Sequence, residues 1–318
     1  MPPLTRRQFS QLPLFAAPWL AGLTPISAQP KLRGQFPPPP RPRELKLAAR
    51  ISCEGREGPL TRRLAGLRAA GFDGVEAVWP GTFRGADLRA AARAAECPVH
   101  AVHVGLGFDA ALSKDDSNLR QQGQERLTRA LELGAELGAG SVSVVPGAIT
   151  PEVSDARAWN LVKIGLGALL PRASELGLRL GLRLGPGDFL ASPLEAARFL
   201  DELDSPALGW QLDTGWSLLR SYPQHWIHIL GQRILKVDLS DFSRGAAAAG
   251  GTEAGFKIQL GEGDLDFPAT LEALAHALYS GWLSLAVDDA ALEESGPNRK
   301  GARTALQIAQ RARALLEM

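Results

Sequence analysis

Ionisable side chains recur at or near the ends of short apolar runs in this chain. Glu76 and His103 belong to two early runs, Arg183 ends a middle one, and Asp213 and Asp238 lie at the ends of two later ones. Carboxylates and imidazoles that converge can hold a divalent cation or move a proton beside a carbonyl group. An arginine among them would repel such a cation. These residues predict a pocket for acid–base or metal-assisted chemistry, in which the arginine argues against a bound metal.

Three more residues are candidates for the same pocket. Trp216 could close the pocket or stack on a flat face of a ligand, although core packing is the alternative for this side chain. Glu262 lies in a Gly-Glu-Gly segment, which is a weak sign of a phosphate loop because its acidic residue opposes an anion. Asp288 follows the last apolar run and could supply a carboxylate from a loop. The alanine- and glycine-rich segment 244–255 is predicted to form a mobile flap over the pocket.

The apolar runs alternate with longer segments in which apolar residues recur at helical spacing, a pattern typical of parallel βα units. Eight such units between residues 45 and 318 predict an α/β fold of the (β/α)₈ TIM barrel type, whose active site lies at the carboxyl ends of the strands. A doubly wound open sheet is the alternative, disfavoured because no GxGxxG follows the first strand. The strands are predicted at 46–52, 74–78, 99–104, 141–145, 179–183, 208–213, 234–239 and 283–287.

The predicted helices have recognisable ends. Ser192 and Asp266 are expected to cap helices that contain proline in the first turn, and Gly71, Gly138 and Gly177 are expected to end three others. The helices are predicted at 60–70, 86–95, 119–137, 156–176, 193–203, 223–230, 268–278 and 299–316.

Residues 1–28 resemble a twin-arginine export signal. Arg6 and Arg7 precede an apolar stretch, and small residues before Gln29 provide a cleavage point. An amphipathic N-terminal helix is the alternative, disfavoured because three prolines would interrupt it. Residues 29–44 form a proline-rich linker, so the barrel is predicted at 45–318. The expected location is therefore periplasmic or otherwise extracytoplasmic, with no membrane association after cleavage.

Composition excludes several classes of function. The 318 residues are 45% hydrophobic and 22% charged, with a formal net charge of +1, so a nucleic-acid partner is not expected. The two cysteines, Cys53 and Cys97, have no metal or redox spacing and are predicted to be buried, unpaired side chains.

Several sequence phrases, taken in order, resemble the sugar phosphate isomerase/epimerase family. These xylose isomerase-like TIM barrels include the L-xylulose/L-ribulose-5-phosphate 3-epimerases, and the resemblance covers residues 46–318. The phrases are GFDGVE at 71–76, FLASPLE at 189–195, LDTG at 212–215, YPQHWI at 222–227, KVDLSDF at 236–242, LGEGDLDF at 260–267 and GW at 281–282.

The resemblance implies a divalent metal held by Glu, Asp, His and Glu at the ends of strands 5 to 8. In the register of these phrases the four positions are occupied by Arg183, Asp213, Asp238 and Ala286, so Asp213 is the one ligand retained. No metal cofactor is therefore expected, and metal-dependent epimerisation is expected to be impaired. We hypothesise that the Arg183 guanidinium takes the metal's place and bridges Asp213 and Asp238; extension of the side chain into solvent is the alternative.

The resemblance implies a ketose-like sugar or a polyol as the partner of the pocket. An exported protein would meet few phosphorylated metabolites, which favours a free sugar. A non-catalytic, exported carbohydrate-binding barrel, or pseudoenzyme, is the alternative function. The sequence does not define the oligomeric state.

Overall fold

The computed structural model describes residues 44–53, 57–105, 111–287 and 305–317. Eight parallel strands form a closed barrel in chain order, which confirms the predicted TIM barrel. The signal peptide and nearly all of the linker lie outside the described residues. The strands are β1 Leu45–Ile51, β2 Gly74–Trp79, β3 Val99–Val104, β4 Ser141–Val144, β5 Arg179–Leu182, β6 Leu208–Asp213, β7 Ile234–Asp238 and β8 Gly281–Ala286.

Helices follow the strands and surround the barrel. Each predicted helix is present within a few residues of its expected bounds, apart from the start of the last one, which lies outside the described residues. The helices are α1 Glu57–Ala70, α2 Gly85–Ala94, α3 Ser117–Leu137, α4 Asp155–Glu175, α5 Pro193–Leu203, α6 Thr214–Arg220, α7 Pro223–Leu230, α8 Arg244–Gly250, α9 Thr252–Phe256, α10 Phe267–His276 and α11 Ala305–Leu316. None of the helices in this described part of the chain has both the length and the apolar character needed to cross a membrane.

Local signals position these helices as the sequence predicts. Ser192 and Glu195 form a reciprocal capping box at the start of α5, and the Asp266 side chain accepts the backbone N–H of Ala269 at the start of α10. Gly138 ends α3 with φ of 72°, a left-handed conformation in which a side chain would be strained.

The two faces of the strands differ in chemistry. Outward-facing residues such as Leu47, Ala49 and Ile51 of β1 are buried against the helices, as expected for a strand covered on its outer side. On the outer face of β6, Trp210 stacks on Trp226 of α7 with ring centroids 5.5 Å apart. Because side chains alternate along a strand, the residues between these apolar ones point into the barrel, and many of them are charged.

Asp241 fixes the loop that follows β7. One carboxylate oxygen accepts the backbone N–H groups of Gly261 and Gly263 at 2.8 and 3.0 Å. The other accepts those of Phe242 and Leu265 at 2.8 and 3.1 Å. A single buried side chain thus closes the segment between β7 and α10 next to the barrel mouth.

Replacing Asp241 by alanine should lower the free energy of unfolding by roughly 3 kcal/mol, because several buried N–H donors lose a charged acceptor together. Urea denaturation of the wild-type and variant proteins measures this loss. The matched control is Asp266→Ala, which removes a single helix cap and should cost only about 1 kcal/mol. Equal losses in the two variants would contradict the role given to Asp241.

Candidate functional site

The centre of the barrel holds an ion-pair network built on Lys236. Its ammonium contacts Oε1 of Glu76 and lies 2.9 Å from Oδ1 of Asp238. Arg50 donates from Nη1 to Oδ2 of Asp238 at 2.6 Å, and the Gln211 amide donates to the same oxygen. Two cationic groups therefore neutralise two buried carboxylates.

Strand geometry explains why these side chains meet. Lys236 and Asp238 are two residues apart on β7 and therefore point to the same side of the strand, into the barrel. Arg50 of β1 pairs in register with Glu76 of β2, which brings both side chains to one level on neighbouring strands. Glu76 was expected at the end of its strand from the sequence, but it lies in the middle of β2.

The network keeps its carboxylates ionised despite burial. Burial alone would raise the pKa of Glu76, but the Lys236 ammonium, together with His103 and Arg50, outweighs it and holds that pKa well below its usual value. Burial acts on Asp238 in the same way, and Lys236 and Arg50 together lower its pKa. For Arg50, burial is outweighed by the carboxylates of Asp238 and Glu76, so its pKa is raised.

His103 and His100 are neutral imidazoles inside the barrel. Burial, reinforced by the Arg183 and Arg50 charges, lowers the pKa of His103 to about 4. Its Nδ1 lies 3.3 Å from the Ser143 hydroxyl oxygen and 3.7 Å from Oε1 of Glu76. Burial likewise lowers the pKa of His100 to about 3, and this ring stacks on Trp282 at 4.4 Å.

Asp213 ends β6 and caps the helix that follows. Its Oδ1 accepts the backbone N–H of Trp216 at 3.0 Å and the hydroxyl of Ser240 at 2.5 Å. Burial and the neighbouring Asp238 charge raise the pKa of its carboxyl. The family position retained in this sequence is thus engaged in joining β6 to the loop after β7.

The hypothesis that Arg183 bridges Asp213 and Asp238 is wrong in this structure. The Arg183 guanidinium is buried, and it donates to the backbone carbonyls of Leu184 and Val104, each at 3.3 Å. The cations that contact Asp238 are Arg50 and Lys236.

The other residues predicted to line the pocket are Trp216, Glu262 and Asp288. Trp216 packs against Phe256 with ring centroids 5.3 Å apart, which matches the core-packing alternative for this residue. Glu262 is exposed and lies 3.4 Å from the Arg311 guanidinium of α11, so it makes no contact with the buried carboxylates. Asp288 lies outside the described residues.

The segment predicted to be a mobile flap forms two short helices, α8 and α9. Arg244 donates from Nη2 to the carbonyls of Leu218 and Ser221, and its backbone N–H donates to Asp264. Phe256, at the end of α9, packs on Phe242 with ring centroids 4.8 Å apart. These contacts hold the segment on the barrel.

Glu76, His103 and Asp238 also form a group that could supply ligands to a metal ion. One potential ligand atom from each lies within 4.8 Å of the others. The same carboxylates already contact the Lys236 ammonium and the Arg50 guanidinium. A divalent cation would face two positive charges there, so the donor set does not fit one while Lys236 keeps its place.

The sequence of most of the barrel matches an established family. Residues 64–312 match the family described as Xylose isomerase-like TIM barrel. The chain belongs to this family. The resemblance to sugar phosphate isomerases and epimerases is thereby confirmed, and Arg183, Asp213, Asp238 and Ala286 lie at the carboxyl ends of β5 to β8, as the sequence register requires.

Individual relatives of the family are sugar epimerases by name. The ketose 3-epimerase of Arthrobacter globiformis is 33% identical over 157 residues, which are 46% of this chain and 53% of the relative. The chain thus spans about half the length of the curated relative it matches.

Solved structures show the same fold. An L-ribulose 3-epimerase is 21% identical with a TM-score of 0.68, and the match covers 86% of this chain and 93% of that one. A D-allulose 3-epimerase from Methylomonas sp., solved in complex with D-allulose, is 18% identical with a TM-score of 0.65, covering 77% and 85%.

Sequence reasoning missed Arg50 and gave Lys236 no part in the site. A sequence signal was present for both, because Lys236 precedes Asp238 by two residues in a strand and Arg50 lies near the end of the first strand. Neither signal identifies the carboxylate with which Arg50 or Lys236 pairs on another strand. These ion pairs depend on the geometry of the closed barrel.

The buried histidines predict a specific acid sensitivity. A histidine whose pKa falls from 6.5 to about 4 on folding adds stability above pH 6.5, and this contribution is lost as the pH falls toward 4. As the pH is lowered from 6.5 to 4.5, the wild-type protein should therefore lose roughly 2 to 3 kcal/mol more of its unfolding free energy than the His103→Asn variant. Urea denaturation at several pH values measures the difference. The exposed His228→Asn variant is the control and should keep the wild-type pH dependence; a wild-type slope in His103→Asn would contradict the assignment.

Proposed function

We propose that this protein binds a ketose-like sugar at the carboxyl end of the barrel and that its capacity for metal-dependent epimerisation is impaired. The observation that carries the proposal is the contact of one ammonium, that of Lys236, with the carboxylates of both Glu76 and Asp238. Asp238, one of the four metal-ligand positions of the family, is thereby paired with a side-chain cation instead of being free to hold a divalent ion that would polarise the sugar oxygens.

Membership of the family supports a sugar as the ligand. The relatives and neighbours named above are a ketose 3-epimerase, an L-ribulose 3-epimerase and a D-allulose 3-epimerase. His103 lies on β3, Arg183 follows β5 and Asp213 ends β6, so an imidazole, a guanidinium and a carboxyl group belong to the carboxyl half of the barrel. Such groups suit hydrogen bonding to the hydroxyls of a free sugar.

The charge balance supports impaired metal chemistry. Inside the barrel, the cations of Arg50, Arg183 and Lys236 offset the carboxylates of Glu76, Asp213 and Asp238 when all six are ionised. A divalent ion would leave two positive charges uncompensated. At about 4 Å from an ammonium, with an effective dielectric constant near 20, the repulsion alone is about 8 kcal/mol.

A non-catalytic carbohydrate-binding barrel is the second candidate. It is favoured by the engagement of Asp213, whose Oδ1 is held by Trp216 and Ser240. The family's two acid–base glutamates correspond to Arg183 and Ala286, which cannot shuttle a proton at neutral pH. Sugar binding without turnover separates this candidate from an impaired epimerase.

Metal analysis combined with activity tests the proposal. The purified wild-type protein should carry no stoichiometric manganese, magnesium or zinc. Epimerisation of D-fructose, D-allulose, D-tagatose and L-ribulose should not be stimulated by added Mn²⁺, while at least one of these sugars should bind. Tightly bound stoichiometric metal, or epimerisation that depends on it, would overturn the proposal.

The Lys236→Met variant sharpens the same test. Removing the ammonium frees Oε1 of Glu76 and Oδ1 of Asp238 beside His103, so Mn²⁺ should raise the melting temperature of this variant by several degrees and leave that of wild type unchanged. The control is Lys46→Met, at the opposite end of the barrel. No response of Lys236→Met to Mn²⁺ would show that the ammonium does not exclude the metal.

We further propose that residues 1–28 direct export through the twin-arginine route. The support is the Arg6-Arg7 pair followed by an apolar stretch. In a bacterial host, the mature protein should appear in the periplasm, and the double variant Arg6→Lys, Arg7→Lys should remain unprocessed in the cytoplasm. Arg33→Lys serves as the control, and equal distribution of all three proteins would refute export by this route.

A further inference from the structure

Arg183 differs from the other buried cations in having no acidic partner. Within the described residues no carboxylate lies within the 4.0 Å limit of an ion pair with this guanidinium, whereas Arg50 and Lys236 both contact Asp238. Its hydrogen bonds, to the carbonyls of Leu184 and Val104, are long at 3.3 Å, and its Nε has no hydrogen-bond partner. The side chain is only 4% exposed.

A buried guanidinium without a counterion is costly. Removing a charge from water is compensated only by an opposite charge or by a full set of hydrogen bonds, and Arg183 has neither. Burial and the nearby Arg50 charge lower its pKa and outweigh the more distant carboxylates of Asp238, Asp213 and Glu76. A buried guanidinium with unused donors and no carboxylate in contact can receive an anionic ligand.

The position of Arg183 connects it with the proposed sugar site. It follows the last residue of β5, and it reaches past β4 to the carbonyl of Val104, the last residue of β3. In the closed barrel, β7, which carries Lys236 and Asp238, is two strands from β5 and four strands from β3. A ligand beside Arg183 would therefore also lie near the paired charges of β7.

The free donors of one guanidinium select the anion. Asp213 is held by the start of α6 and by Ser240, and Asp238 contacts Lys236 and Arg50, so within the described residues Arg183 is the interior cation that contacts no carboxylate. One guanidinium balances a monovalent carboxylate, and its planar fork matches the two oxygens of that group. A phosphate dianion would remain half uncompensated.

We propose that Arg183 receives the carboxylate of a sugar acid, such as an aldonate or a uronate. This inference rests on the proposed sugar-binding function and names its ligand class. Buried acceptor atoms without a hydrogen-bond partner, Oε1 of Gln211 and Oε2 of Glu76, lie in the same interior. Each of these acceptors can take a hydrogen bond from a hydroxyl group of the ligand.

Isothermal titration calorimetry tests the proposal. The solution contains a metal chelator, and its buffering agent is neither a carboxylate nor a phosphate. The ligands are D-gluconate, D-glucuronate, D-fructose and D-fructose 6-phosphate. Wild type should bind at least one of the two acids 10-fold or more tightly than the neutral ketose and than the sugar phosphate. Equal or tighter binding of D-fructose would refute the carboxylate assignment and leave the sugar-binding proposal intact; binding of none of the four would refute both.

Two variants locate the effect at Arg183. Arg183→Gln should weaken binding of the acid by 10- to 100-fold, and Arg183→Lys should lose less because it keeps the charge without the fork. The matched control is Arg179→Gln, on the same strand at its opposite, exposed end. Wild-type affinity for the acid in Arg183→Gln would overturn the inference. Because wild-type selectivity is measured independently, a variant that fails to fold does not remove the test.

Discussion

The ammonium of Lys236, held between Glu76 and Asp238, is the interaction on which the interior of this barrel depends. Carboxylates buried in the middle of a closed sheet remain ionised only if a cation lies against them. Lys236 supplies that cation from the same strand as Asp238, and Arg50 completes the pairing from β1. Side chains of four strands are thereby joined in one network, since Glu76 lies on β2 and the neutral Gln211 of β6 also donates to Asp238.

Under the proposed function, this network changes what the family architecture can do. A divalent ion polarises a sugar oxygen because its charge is partly open to the ligand, whereas an ammonium paired with two carboxylates has little charge left to offer. At the mouth, Asp213 is held by the first turn of α6 and by Ser240. The structure thus combines the barrel of this family with an interior in which Glu76 and Asp238 are paired with cations, whereas Arg183 contacts no carboxylate within the described residues.

The sequence was sufficient to predict most of the fold. Apolar runs of strand length, helical periodicity and end signals such as Ser192 and Asp266 depend on neighbours in the chain, so strands and helices were predicted to within a few residues. The strand-end positions of Arg183, Asp213 and Asp238 followed from the same register. What failed was the pairing of Arg183. The stagger of the strands and the lengths of the side chains determine which cation contacts Asp238. Neither can be predicted from the spacing of residues along the chain.

Anomalous diffraction from a crystal soaked in Mn²⁺ tests the central claim most directly. With Lys236 in contact with both carboxylates, the account predicts no manganese peak among Glu76, His103 and Asp238 in the wild-type protein. A strong peak at that position, with the lysine side chain displaced, would contradict it.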